Sequence, residues 1–202
     1  MMNFLPAPGL QKTDNQIKIT LWAPFAIKPG IKTSNGKNIV MDEDKFGYWT
    51  QIIPFEEPLN YGFVINGQTF PDPASHFQPE GVHGLSQFVD HSLFTWEDHE
   101  WKGLKMEDML IYELHVGTFS PGGTFEGMVE KIPYLLDLGI NTIEIMPVSQ
   151  FPGPRNWGYD GVFPYAVQNS YGGPEGLKKL VNECHKNGIA VILDVVYNHQ
   201  GP

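Results

Sequence analysis

Polar side chains gather where an α/β protein does its chemistry. Residues 189–198 run as a buried-type strand, Ile-Ala-Val-Ile-Leu-Asp-Val-Val-Tyr-Asn, that turns polar near its end, placing Asp194, Asn198 and His199 at or beside a strand tip. Carboxylate, amide and imidazole groups at the C-terminal ends of parallel strands make hydrogen-bonding and proton-transfer sites. A second group lies in a long connection: Asn156, Trp157, Tyr159 and Asp160, within residues 151–161. The two aromatic rings offer flat apolar faces with a polar edge, and Asn156 and Asp160 offer hydrogen-bond partners. That combination suits a sugar ring, with its C–H faces and rim of hydroxyls. The alternative is that Trp157 and Tyr159 only pack the loop onto the body of the domain.

Other polar residues have plainer readings. Asp194 interrupts Val191-Ile192-Leu193 and Val195-Val196, so it is expected to be buried and paired, with a neighbouring arginine or a loop amide as the ordinary partner. Glu113, His115 and Glu144 sit among apolar neighbours on two further strands, and salt bridges between adjacent strands account for them. No second histidine stands at metal spacing from His199, so no metal centre is expected. Glycoside hydrolysis needs two carboxyl groups, about 5 Å apart for a retaining enzyme; no pair here is set by sequence for that task. The tip residues read as one part of a site whose other part is expected beyond Pro202.

The elements that must carry these residues fall into two patterns. Up to about Asp98 the chain shows short alternating strands broken by Gly, Pro and Asn. Ile17, Ile19 and Leu21 alternate with Lys18 and Thr20, and Tyr61, Phe63 and Ile65 alternate before Asn66-Gly67, a strong hairpin signal. Residues 1–98 thus read as a β-sandwich and 99–108 as a linker. Residues 109–202 read as strand, helix, strand, helix, strand. The strands are expected at 109–116, 141–146 and from 189. The first helix is expected over 124–138, with Thr124 as N-cap, Gly139 as stop, and a stripe of Phe125, Met128, Val129, Ile132, Leu135 and Leu136; Pro133 should remove a hydrogen bond from its middle. The second helix opens at Pro174, buries Leu177, Leu180, Val181 and Cys184, and stops at Gly188. Such units make a right-handed parallel sheet, either doubly wound or closing as an eightfold barrel. The absence of Gly-x-Gly-x-x-Gly after the first strand weighs against dinucleotide binding.

Composition narrows the partners. At 202 residues, 41% hydrophobic and 18% charged, the chain can bury a core and has room for more than one folding unit. Thirteen basic against 23 acidic residues, a net charge of −10, argue against nucleic acid or an anionic membrane and favour a neutral ligand. The lone Cys184 forbids an internal disulfide. The N-terminus lacks the basic head and apolar run of a secretion signal, and no apolar run reaches spanning length, so a cytoplasmic location is expected.

The run Asp194-Val195-Val196-Tyr197-Asn198-His199 resembles the first sequence region of the α-amylase superfamily, found at barrel strand three. Tyr112 to Phe119, Glu144 to Phe151, Asn156 to Val162 and Tyr171 to Leu177 resemble its malto-oligosyltrehalose trehalohydrolase branch, as do Pro71 to Ser75 and Gln78 to Gly84. Trp22-Ala23-Pro24-Phe25-Ala26 resembles the early-set, immunoglobulin-like sandwich that precedes such barrels. The resemblance implies that sandwich followed by the first three βα units of a TIM barrel. It also implies a retaining hydrolase that releases trehalose from maltooligosyl trehalose, an α-glucan substrate, without cofactor or calcium. It casts Tyr159, Asp160, Asp194, Asn198 and His199 as substrate-binding residues. The branch's catalytic Asp and Glu, on barrel strands four and five, have no counterpart among these residues, so the chain by itself is expected to be inactive. A glycogen branching or isoamylase-type debranching enzyme is the sister alternative, and a non-catalytic α-glucan-binding module the alternative of another class.

Overall fold

The computed structural model describes residues 6–198 and residue 201; His199, Gln200 and Pro202 lie outside the described residues. Contacts divide the chain into two compact units, Met1–Asp90 and His91–Pro202. Residues 97–101 pack within the second of these units. The Glu97 N–H donates to Asn182 Oδ1 at 2.7 Å, Asp98 Oδ2 lies 2.6 Å from His185 Nδ1, and the Trp101 ring stacks on His185 at 4.8 Å.

The first unit is built from β1 (Gly9–Thr13), β2 (Gln16–Trp22), β3 (Gly30–Thr33), β4 (Asn38–Val40), β5 (Asp42–Glu43), β6 (Tyr48–Pro54), β7 (Asn60–Ile65), β8 (Gln68–Phe70) and β9 (Ser86–Gln87). One antiparallel sheet has the order β1-β2-β6-β5 and a second the order β4-β3-β7-β8, with β9 also on β7. Period-2 alternation sends Ile17, Ile19 and Leu21 of β2 inward, where they join Ile31, Tyr61 and Phe63 of the other sheet in one buried cluster. Asn66 and Gly67 form the tight turn joining β7 to β8.

A polar network lies beneath the long segment after β8. Tyr61 donates to Asp72 Oδ2 at 2.6 Å, the Ala74 N–H donates to Asp72 Oδ1, and Ser86 Oγ accepts from the Asp72 N–H and donates to Gln78 Oε1.

The second unit contains β10 (Ile111–Leu114), α1 (Val116–Phe119), α2 (Phe125–Val129), α3 (Ile132–Asp137), β11 (Thr142–Ile145), β12 (Ser149–Gln150), β13 (Phe163–Val167), α4 (Gly173–Lys186) and β14 (Ala190–Leu193). β10, β11 and β14 form a parallel sheet in that order, with Glu113 beside Glu144 and Glu144 beside Ile192. Leu114, Ile143 and Ile145 face the helices and share a core with Phe125, Met128, Leu135, Leu180 and Cys184.

The helix expected over 124–138 is two short helices. Pro133 stands in the first turn of α3, where its missing N–H is no loss, and the break between α2 and α3 precedes it. Thr124 caps α2 as expected, by accepting from the Gly127 N–H. Both α3 and α4 end in a glycine-centred reverse bond, Ile140 N–H to Leu135 O and Ile189 N–H to Cys184 O, each 2.9 Å. Leu136, expected on the buried stripe, is exposed because the break resets the helical phase. The long connection after β11 contains the antiparallel pair β12–β13. Among the described residues, no helix is long and apolar enough to cross a membrane.

Burial raises the Asp72 carboxyl above the usual carboxylate range, against the opposing hydrogen bonds from Tyr61 and Ala74. Asp72→Ala, which orphans both donors, should lower stability by about 1–3 kcal/mol in urea denaturation. An acid with a raised folded pKa holds more protons folded than unfolded, so its contribution is full at low pH and is lost as pH rises through that pKa. Asp72→Asn should remove this part of the pH dependence.

Candidate active site

The connection between β11 and α4 is fixed near its middle by the residue that follows β10. His115 Nε2 lies 2.7 Å from the Asn156 carbonyl oxygen, and its Nδ1 lies 3.2 Å from Thr118 Oγ1. A carbonyl only accepts, so Nε2 carries a proton and donates to it, while the Thr118 hydroxyl donates to the His115 carbonyl oxygen at 3.5 Å. The buried Tyr171 stands edge-on to the imidazole, its hydroxyl 3.0 Å from Nε2 and 3.4 Å from the same carbonyl. The salt bridges expected for Glu113, His115 and Glu144 are not formed among the described residues. His115 instead binds the loop backbone, while Glu113 and Glu144 lie side by side as like charges.

Asn156 then shapes the turn. Its Oδ1 accepts from the Gly158 N–H at 2.8 Å and the Asp160 N–H at 3.4 Å, and its Nδ2 donates to Asp160 Oδ2 at 2.6 Å. Gly158 has φ +102°, and a Cβ there would fall 2.1 Å from the Pro147 carbonyl oxygen, so no larger residue fits. The turn sends its two aromatic residues to different neighbours. Trp157 leans on His115, ring centres 5.3 Å apart at 57°, while Tyr159 donates its hydroxyl to Asp194 Oδ2 at 2.9 Å.

Asp194 is half-buried rather than buried, and its partner is this phenol rather than the expected arginine or loop amide. Its own N–H continues the ladder beyond β14 by donating to Ile145 O. Strand alternation puts Glu113, Glu144 and Asp194 on the sheet face opposite the helices. Their charge is felt by Tyr159: its hydroxyl is held above the usual tyrosine range, first by donation to Asp194, then by desolvation, then by the charges of Asp194, Glu113 and Glu144.

The structure thus joins Tyr159 to Asp194 directly, and ties Asp160 to the same turn through Asn156. Asn198 is exposed and makes no part of this network, and His199 lies outside the described residues. The orienting roles of His115 and Tyr171 were not evident in the sequence, since each depends on a contact with a residue at least 15 positions away. The one available signal was a histidine at a strand end ahead of a long aromatic connection. Among the described residues, no three His, Cys, Asp or Glu side chains converge as a metal cage.

Asp194→Asn keeps an acceptor for Tyr159 but removes its charge. The Tyr159 phenol should therefore titrate at lower pH in that variant, as read by NMR of labelled tyrosines. An unmoved titration would show that the carboxylate is not what holds the phenol up.

Comparison with known proteins fits this architecture. The alpha amylase catalytic domain matches residues 35–202. The chain is 50% identical over 196 residues to malto-oligosyltrehalose trehalohydrolase of Saccharolobus solfataricus, covering 96% of this chain and 35% of that protein. It is 43% identical to the enzyme of the same name from Deinococcus radiodurans, over 98% of this chain and 32% of the relative. It thus spans about a third of the length of these curated relatives. The 1,4-alpha-glucan branching enzyme GlgB of Pseudoalteromonas atlantica is 33% identical over 186 residues, 82% of this chain and 26% of that protein. Among solved structures, one described as an alpha amylase from Salmonella typhimurium superposes with a TM-score of 0.93 at 40% identity, over 98% of this chain and 34% of that one. On the strength of the match over residues 35–202, the chain belongs to the alpha amylase catalytic domain family.

Proposed function

We propose that this sequence is the N-terminal part of a retaining glycoside hydrolase that cuts the α-1,4 bond beside the terminal trehalose of maltooligosyl trehalose and releases trehalose. The observation that carries the reading is the Tyr159–Asp194 hydrogen bond at the C-terminal end of the parallel sheet. It holds an aromatic face and a carboxylate together where a parallel α/β enzyme binds its substrate. In this reading residues 1–98 are an early-set sandwich, 99–108 a linker, and 109–202 the first three βα units of an eightfold barrel. The barrel interior is then the face bearing Glu113, Glu144 and Asp194.

The residues of this chain bind and orient. Tyr159 stacks on the sugar just before the scissile bond, with Asp160 beside it; His199 hydrogen-bonds that sugar, and Asp194 and Asn198 shape the floor beneath it. The nucleophilic Asp and the acid/base Glu come from barrel strands four and five, which these 202 residues do not supply. One carboxylate attacks the anomeric carbon while the other protonates the leaving oxygen, and water then releases the glycosyl-enzyme. The 50% identity to the trehalohydrolase of S. solfataricus supports this substrate. The weaker match to GlgB supports a branching enzyme as the second reading.

The test extends the open reading frame to the length of the relatives and supplies maltooligosyl trehalose. Trehalose release is expected, falling about tenfold or more in kcat/KM with Tyr159→Ala, and no release above background from the 202-residue chain. New branch points without trehalose would select the branching reading. Turnover by the 202-residue chain, sensitive to Tyr159→Ala, would sink the assignment of catalysis to later strands.

A further inference from the structure

The first unit carries a groove of about 400 Å³ on the sheet β4-β3-β7-β8. Its volume falls in the range of ligand sites, roughly 300–1,000 Å³. Ile31 of β3 and Phe63 of β7 are buried in the sandwich core, so Gly30, Lys32 and Val64, one residue to either side, face outward. In register, Val40, Gly30, Val64 and Thr69 form one row across four strands, and Lys32 stands beside Asn38 on the next outward row. Gly30 leaves the floor of the groove open. A Cβ there would lie 3.1 Å from the Ile39 carbonyl oxygen and 3.9 Å from Val64 Cβ. Lys28, just ahead of β3, completes the lining and holds a left-handed φ of +48°. A non-glycine residue in that region is strained, and such strain gathers at ligand sites.

We propose that this groove binds the phosphate monoester of a small sugar, with the phosphate between Lys28 and Lys32 and the sugar over Val40 and Val64. The inference is independent of the glucan reading above.

The lining selects the ligand. Lys28 and Lys32 line the groove with no carboxylate beside them, and neither enters an ion pair among the described residues. Two ammonium groups match the charge of about −1.5 to −2 that a phosphate monoester carries near pH 7. A single carboxylate would leave one lysine unmatched. The Asn38 amide and the Thr69 hydroxyl can both donate and accept, as sugar hydroxyls require. The methyl groups of Val40 and Val64 offer an apolar floor to the C–H groups of the sugar. No aromatic ring lines the groove, so a nucleobase finds no stacking platform.

The charge of the whole chain excludes larger anions. Its net −10 repels a nucleic acid strand or an anionic membrane, each of which would extend over much of the surface. A small ion answers instead to the charges within a screening length, roughly 8 Å at physiological salt. Within the groove those charges are the two lysines.

The test is calorimetric titration of the protein extended to the length of its relatives, with glucose 6-phosphate, inorganic phosphate and glucose as probes and circular dichroism confirming the fold of each variant. Glucose 6-phosphate should bind more tightly than the other two, and added sodium chloride should weaken it. Both lysines are exposed, so replacing them leaves the sandwich core intact. Lys28→Gln and Lys32→Gln should each weaken glucose 6-phosphate about fivefold, the upper end for loss of an exposed ion pair. Thr69→Val should weaken glucose 6-phosphate and leave inorganic phosphate unchanged. Glucose 6-phosphate binding that is unchanged in the double lysine variant overturns the site. Inorganic phosphate binding as tightly as glucose 6-phosphate, with the same lysine dependence, overturns the sugar part of the proposal. Glucose binding as tightly as its phosphate overturns the anionic class, and no binding of any probe overturns the proposal outright.

Discussion

The hydrogen bond from His115 to the Asn156 carbonyl is the tie on which the site depends. Its donor stands at the C-terminal end of β10, in the rigid part of the sheet, and its acceptor stands in a connection with little regular structure of its own. Once that carbonyl is held, Asn156 is oriented to accept from Gly158 and Asp160, and the turn has one shape. Tyr159 is then delivered to Asp194, 35 residues away in sequence. Sites carried by loops are exact only where a scaffold atom fixes them. Here the scaffold atom is the imidazole Nε2 of His115, in a ring whose Nδ1 lies 3.2 Å from Thr118 Oγ1.

The fold was legible where local chemistry decides it. Alternation in β2, the Asn66-Gly67 turn, the Thr124 cap and the glycine stops of α3 and α4 all depend on residues near one another. Less legible was the break between α2 and α3. Pro133 was visible as a problem, but whether a proline ends a helix or begins the next depends on where the new phase starts, and that is set by packing against the sheet. β12 and β13 escaped notice because the first is only two residues long and the second contains Pro164. The aromatic connection and the polar strand end were legible as chemistry. Their assembly was not, because it is made by His115, 41 residues before its acceptor.

Electrostatics sets a further condition on the site. Glu113 and Glu144 are neighbours in register, on adjacent strands whose usual spacing is about 4.8 Å, and Asp194 lies on the same face. Like charges at such spacing are tolerated while water screens them, and Glu113 is exposed. Covering that face would remove the screening, and each carboxylate would then need a cation, a donor or a proton. The same field already acts on Tyr159, whose phenol is kept protonated and therefore a donor to Asp194.

Gly158 separates the two aromatic residues and touches the Pro147 carbonyl. In terms of evolvability, this position divides what may drift from what may not. A side chain at 158 would displace the turn and with it both rings, whereas Trp157 and Tyr159 are each set by a separate neighbour, His115 and Asp194. Any change in either ring is thus constrained by a glycine that itself must stay fixed.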